Sequence, residues 1–111
     1  TNSPDYMLLV RQSVIDEFAA KARKAYGGAI EEIILFGSVA RGDDRPDSDI
    51  DILVITSGED FRIREFLAGL AFDLLMQTGE RLSVKVLSRA DVVAHRHYPF
   101  IRNLFRDGVA V

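Results

Sequence analysis

The chain has 111 residues, of which 48% are hydrophobic and 28% charged, and it contains no cysteine. This balance is ordinary for a globular protein, and the length suits one hydrophobic core, so we expect a single domain over residues 1–111. The lack of cysteine excludes disulfides and thiolate metal sites and is compatible with the cytoplasm, where we expect the protein to act. No apolar run approaches the ~20 residues of a membrane helix, so we expect no membrane partner.

The net charge of −3 bears on the choice of ligand. Proteins that bind duplex nucleic acid usually carry a basic stripe, because neutralising phosphates supplies much of their affinity. Here the 14 lysines and arginines are spread along the chain. We therefore do not expect nucleic acid as a partner, whereas a small nucleotide is compatible with this charge.

The first half of the chain predicts a helix followed by two strands. Residues 5–26 have apolar side chains at helical spacing, with Ser3 as the cap and Gly27-Gly28 as the stop. Residues 30–36 form an almost unbroken apolar run, typical of a strand covered on both faces. A polar loop over residues 37–48 precedes a second strand over 49–55, in which Ile50, Ile52 and Val54 share one face.

The second half predicts three helices and two strands. They are a helix over 61–78 ended by Gly79, a strand over 82–87, a short helix capped by Ser88 and reaching His95, a helix over 99–107, and a short edge strand over 109–111. This order predicts an α+β domain with a mixed sheet of three to four strands and helices packed on one face.

The stretch from Gly37 to Asp51 contains the residues that point to a function. Gly37-Ser38 at the exit of a buried strand lets backbone N–H groups approach an anion, and the serine hydroxyl adds a donor. Asp49 and Asp51 stand two apart on a strand, so their side chains leave the same face ~6–7 Å apart. Like charges at that distance favour a hard cation between them. Together these features predict a site for Mg²⁺ and a nucleoside triphosphate.

These residues also resemble a known family. Gly37-Ser38-x-Ala40-Arg41-Gly42 followed by Ser48-Asp49-Ile50-Asp51 is similar to the signature of minimal nucleotidyltransferases (MNT) in the DNA polymerase β superfamily, including antitoxins paired with HEPN-type toxins. The resemblance implies a palm-like fold, in which Gly37 and Ser38 bind the phosphates of ATP or another NTP. It also implies that Asp49 and Asp51 are catalytic metal ligands. Arg41 either contacts phosphate or pairs with Asp43, Asp44 or Asp47.

One family feature is missing from the next strand. Active members carry a third carboxylate there, which helps to bind the second of two metal ions, but Leu82 to Val86 contains no acid. If Lys85 lies on the face of Asp49 and Asp51, an ammonium stands where an anion is expected. Lys85 would then be a charge partner for the α-phosphate, and one Mg²⁺ rather than two would be held. Glu80, just upstream, is the remaining candidate acid.

The resemblance leaves three functional hypotheses. In the first, the chain transfers a nucleoside monophosphate, AMP from ATP, to a hydroxyl of a partner protein, as an antitoxin acting on a HEPN-type toxin. In the second, it is a catalytically impaired module that binds nucleotide or the partner without turnover. The third is a subunit acting on a small molecule or nucleic acid within a larger assembly, and a homo-oligomer is also left open. His95-x-His97 has no third ligand at a usual spacing and is typical of surface or packing residues.

Overall fold

The structure is a computed structural model that describes residues 4–111, with side chains described from Leu8 onward. The predicted helix cap at Ser3 lies outside the described residues. The chain forms five α-helices and four strands in these residues: α1 Pro4–Tyr26, β1 Ile30–Phe36, α2 Gly37–Arg41, β2 Ile50–Thr56, α3 Phe61–Thr78, β3 Leu82–Ser88, α4 Arg89–Ala94, α5 Pro99–Asp107 and β4 Val109–Ala110. A 3₁₀ turn, Gly27–Ala29, joins α1 to β1.

The strands form one mixed sheet in the order β3-β2-β1-β4. Strand β1 pairs antiparallel with both β2 and β4, whereas β2 and β3 run parallel and are joined through α3. A parallel pair needs such a long crossover, because a tight turn can only reverse the chain. The predicted mixed sheet in an α+β domain is confirmed.

Both faces of the sheet are covered. On one face, Ile50, Ile52 and Val54 of β2 pack with Phe18 of α1 and Leu67 of α3. The alternate residues of β2 reach the other face, where Leu53 and Ile55 pack with Val92 of α4 and with Ile101 and Leu104 of α5. The prediction of helices on one face holds for the two long helices. The short α4 and α5 lie opposite, because the burial alternates along β2 and leaves a second apolar face to cover.

The ends of several elements follow local chemistry. The side chain of Asp60 accepts a hydrogen bond from the Arg62 amide at the start of α3, and Gly79 ends that helix in the left-handed conformation (φ 77°). Ser88 caps α4 as predicted, since its hydroxyl accepts from the Asp91 amide at 3.1 Å. Pro99 opens α5, where its missing N–H costs nothing.

One element was missed by the sequence analysis. Residues 37–41, predicted as part of a loop, form the single-turn helix α2. Five residues are too few to show a helical period, and glycine at the start is a poor helix former. Among residues 4–111, no helix is both long and apolar enough to cross a membrane.

Candidate active site

Gly37 lies where β1 ends and α2 begins, and its backbone is left-handed, with φ at +75°. A β-carbon at this position would overlap Oδ2 of Asp51 and lie 3.1 Å from its Cγ. Glycine is therefore required twice, once for the backbone conformation and once for space. The first amides of α2, those of Gly37 and Ser38, have no acceptor within the helix and lie at the same end of the sheet as Asp51.

Asp49 lies immediately before β2, and Asp51 is the second residue of that strand. Asp51 is opposite Phe36, the last residue of β1, and this register brings its carboxylate against Gly37. Both aspartates are partly buried. Burial raises the pKa of Asp51 above its ordinary value; the neighbouring Asp49 raises it further, while Lys85 and Arg41 oppose the rise. Binding a cation would relieve both the partial desolvation of this carboxylate and its repulsion by the like charge.

Carboxylate oxygens are hard ligands of the kind that Mg²⁺ prefers, so the donor chemistry at Asp49 and Asp51 fits that ion. Two protein ligands are few, although Mg²⁺ commonly takes its remaining oxygens from water and substrate phosphates. Within the part of the chain that is described, no group of three histidine, cysteine, aspartate or glutamate side chains is assembled to hold a metal.

The position of the missing third acid is defined by β3. Its pairing with β2 sets Ser83 beside Asp51 and Lys85 beside Leu53, so both β3 side chains share the face of the aspartates. Lys85 is exposed, and its positive charge acts on Asp51. The condition stated for Lys85 in the sequence is therefore met. Its ammonium group belongs to β3, the strand where the third acid is expected, and lies on the same sheet face as the aspartates.

Glu80 does not supply the missing carboxylate. Its Oε2 accepts from Nε of Arg11 at 3.3 Å, which directs the side chain toward α1. The suggestion that Glu80 reaches into the site is therefore wrong, because a buried guanidinium on α1 binds it instead.

Arg41, at the end of α2, pairs with Asp43, with 3.4 Å between Nε and Oδ2 and both side chains more than half exposed. Of the three aspartates considered as its partner, Asp44 is bound by Arg11 instead. The charge of Arg41 also lowers the pKa of Asp51. The charge of Arg41 thus acts on Asp51, although the Arg41 side chain is more than half exposed.

Arg11 on α1 is a charged residue, yet it is only 1% exposed. Its guanidinium pairs with Asp44 and Glu80 and donates to the carbonyls of Arg45 and Pro46, both at 2.9 Å. It also donates to the carbonyl of Ser48 at 3.3 Å. Arg11 therefore fixes the loop that ends at Asp49.

A signal for the burial of Arg11 was present in the sequence. Arg11, Ile15, Phe18 and Ala22 follow one another at spacings of four, three and four, so they share one side of the helix. Leu8, which precedes this series by three residues, is by contrast 61% exposed. A single arginine within an apolar stripe does not by itself predict burial. The acidic partners that allow it to be buried lie far away in the sequence and must be known first.

Solved structures with similar folds agree with this architecture. One whose name is "Structure of putative minimal nucleotidyltransferase" matches with a TM-score of 0.56 and 24% identity, over 90% of this chain and 94% of that chain. A second, "Crystal structure of the toxin-antitoxin with AMP-PNP", matches with a TM-score of 0.54 and 23% identity, over 85% of this chain and 69% of that chain. The fold is that of the polymerase β-like nucleotidyltransferases, as predicted.

The sequence itself shows the family. Residues 15–104 match the family model described as "Nucleotidyltransferase domain". "Putative protein adenylyltransferase MJ0604" of Methanocaldococcus jannaschii is 35% identical over 97 residues, which cover 87% of this chain and 93% of that protein. The chain belongs to the nucleotidyltransferase domain family, and the enzyme class predicted from its sequence is confirmed.

Proposed function

We propose that the chain binds a Mg²⁺–nucleoside triphosphate at Gly37, Ser38, Asp49 and Asp51 and transfers AMP from ATP to a hydroxyl of a partner protein. The observation that carries this proposal is the approach of Gly37 to Asp51, which leaves no room for a β-carbon. It puts backbone N–H groups, which suit phosphate oxygens, beside carboxylates, which suit Mg²⁺. The reaction needs both kinds of group within reach of one triphosphate.

In this proposal each residue has a distinct task. The amides of Gly37 and Ser38 and the hydroxyl of Ser38 hold the terminal phosphates, and Asp49 and Asp51 hold the metal. Mg²⁺, when bound, offsets the charge that develops on the phosphoryl oxygens. The acceptor oxygen bonds to the α-phosphorus, the bond to pyrophosphate breaks, and the hydroxyl proton is released. Lys85, on the sheet face of Asp51, would serve as a charge partner for the α-phosphate, and the exposed Arg41 would contact the phosphates.

The choice of AMP and of a protein acceptor is supported by the relatives. The Methanocaldococcus protein is named as a protein adenylyltransferase, and one structural neighbour is a toxin–antitoxin complex with AMP-PNP. We infer by analogy that the acceptor is a toxin of the HEPN type and that this chain acts as its antitoxin.

A second candidate function rests on β3. With Ser83 and Lys85 in place of an acid, a second metal ion loses a ligand and meets a positive charge. A module that binds nucleotide and its partner without turnover is therefore the alternative to transfer.

One experiment separates the two functions. The protein is incubated with Mg²⁺, each labelled NTP in turn and the product of the adjacent gene, and the partner is analysed for a nucleotidyl mass increment. Transfer predicts an increment with ATP that Asp49→Asn and Asp51→Asn abolish. If the chain forms a complex with the partner but no NTP gives a mass increment, transfer is excluded and the non-catalytic function is supported.

A further inference from the structure

The outer edge of β3 borders a cavity of about 520 Å³. Four consecutive residues of the strand, Val84 to Leu87, line it. Successive strand residues point to opposite faces, so a cavity that touches all four meets the strand along its edge. Within residues 4–111, β3 pairs with β2 alone, so its outward N–H and C=O groups have no strand partner.

Both helical layers form the walls of this cavity. Leu67 and Ala68 of α3 line it from one face of the sheet, and Asp91, Tyr98 and Ile101 line it from the other. A slot with a strand edge as its floor and a helical layer on each side has the shape of one more strand. We call the outer edge of β3, its two helical walls and the second cavity that adjoins them the β3 slot.

A second cavity of about 380 Å³ continues the slot toward the start of β3. It shares Ala68 and Val84 with the first and adds Phe72, Leu75 and Leu82. The two cavities together are lined by every residue from Leu82 to Leu87 except Ser83, over roughly 20 Å at the usual rise of a strand. That is the length of a typical strand of five to six residues.

The charges of the slot favour an acidic occupant. Arg81 and Lys85 stand on its floor and Arg64 on its wall, against a single carboxylate, Asp91. Arg64 is already paired with Glu59 at 2.7 Å, which leaves Arg81 and Lys85 against Asp91 and hence a net positive charge. Pairing with the β3 of a second copy would bring two more such cations into the same ladder, so the charge disfavours self-association.

We propose that the β3 slot binds an extended, acidic segment of the partner protein by adding it as a fifth strand to the sheet. Backbone hydrogen bonds to β3 would supply affinity, and alternate apolar side chains would enter the two cavities. Lys85 lines the slot and lies on the sheet face of Asp51, so a segment held there lies one strand beyond the aspartate site. This inference rests on the proposed function, because it names how the acceptor protein docks next to the nucleotide.

A random nine-residue peptide library displayed on phage, selected on the whole protein without nucleotide or Mg²⁺, tests the proposal. We expect enriched peptides that alternate apolar residues with at least one acid and lack a central proline. The most enriched peptide, made synthetically, should bind Ala68→Trp at least tenfold more weakly, because the indole fills the slot. Ala20→Trp, an exposed alanine on α1 that lines neither cavity, should bind within about twofold of the unchanged protein.

Hydrogen exchange reports where the peptide binds. Peptide binding should slow hydrogen exchange at the amides of Val84 to Leu87 and leave exchange unchanged at Val109 and Ala110, on the opposite edge of the sheet. No enrichment, equal binding to Ala68→Trp, or protection only at β4 would overturn the proposal. So would a mass of twice 12.4 kDa that Ala68→Trp returns to 12.4 kDa, because the occupant would then be a second copy. Peptide binding that persists in Asp51→Asn would support the slot even if the protein fails to bind ATP.

Discussion

Gly37 and Asp51 pack closely against each other. Because the backbone of Gly37 is left-handed, a β-carbon at this position would point at the carboxylate of Asp51. The contact joins the end of β1 to the start of β2, the two strands next to the proposed phosphate-binding turn and the proposed metal ligands. Changes at either residue should therefore affect nucleotide binding as well as stability.

Replacing Gly37 with alanine should destabilise the fold and abolish nucleotide binding. The left-handed backbone costs an L-residue about 1–2 kcal/mol, and the methyl group must also displace the Asp51 carboxylate. Gly42→Ala is a matched control, because Gly42 has the same backbone conformation (φ 79°) with nothing within 4 Å of a β-carbon. Urea unfolding and ATP titration of both variants measure the difference. If both variants lose the same stability and Gly37→Ala still binds ATP, the contact between Gly37 and Asp51 is not needed for nucleotide binding.

Replacing Arg11 with methionine should lower the free energy of unfolding by roughly 3–5 kcal/mol, as is usual when one partner of a buried ion pair is removed. The change leaves Asp44 and Glu80 without their cation and the carbonyls of Arg45 and Pro46 without a donor. Lys21→Met breaks an exposed pair with Glu17 and should cost about 0.5 kcal/mol or less. Urea unfolding measures both. A loss below about 1 kcal/mol for Arg11→Met would contradict the role given to this side chain.

Asp51→Asn should stabilise the protein at pH 7 in EDTA, by roughly 0.5 kcal/mol or less because solvent screens a partly exposed group. The folded-state pKa of Asp51 is raised, first by burial and then by Asp49, so its charge opposes folding at neutral pH. That penalty is complete above the raised pKa and disappears as the pH falls below the ordinary value of 3.8. Thermal unfolding of both proteins from pH 7 to pH 3 should show the difference closing.

Asp60→Ala should change the stability at pH 7 in the opposite direction, and it serves as the control. The pKa of Asp60 is lowered by hydrogen bonds from the side chain and backbone of Arg62, so its charge favours folding. This stabilisation is present above pH 3.8 and is lost as the pH falls through the lowered pKa. The variant should be less stable at pH 7, with a difference that shrinks in acid. An Asp51→Asn protein that is also less stable at pH 7 would contradict the pKa assignment.

Ser83→Asp should increase the affinity for Mn²⁺ or Mg²⁺ by about tenfold or more, because a third carboxylate completes the ligand set. Ser83 is paired with Asp51 across β2 and β3, which places the new side chain beside the aspartates. Ser83→Asn, of similar size but neutral, should leave the affinity unchanged. Metal titration by calorimetry distinguishes the two variants. Equal affinities would show that this position lies outside the metal site.

Much of the fold followed from patterns within short segments. The apolar run of β1, the helical period between Asp60 and Gly79 and the proline that opens α5 each predicted an element in its observed place. The prediction failed at α2, whose five residues are too few for a period. It was incomplete for α4 and α5, since the sheet face that a helix covers depends on tertiary packing.

The candidate site was predictable as far as residues close in sequence define it. Of the residues in the Gly37-Ser38 and Asp49-x-Asp51 pattern, the fold brings Gly37 against Asp51. The position of Lys85 needed the strand register, and the role of Arg11 needed contacts with Asp44 and Glu80, 33 and 69 residues away. Nothing local in the sequence encodes such distant pairings.

Gly37, Ser38, Asp49 and Asp51 are proposed to form one Mg²⁺–nucleotide site, and calorimetric titration of ATP in Mg²⁺ and in EDTA tests this proposal most directly. We predict binding in Mg²⁺ that is lost in EDTA and in both Asp49→Asn and Asp51→Asn, whereas Asp73→Asn, an exposed aspartate on α3, binds as the unchanged protein does. ATP binding of equal strength in EDTA, or binding that survives both active-site substitutions, would contradict it.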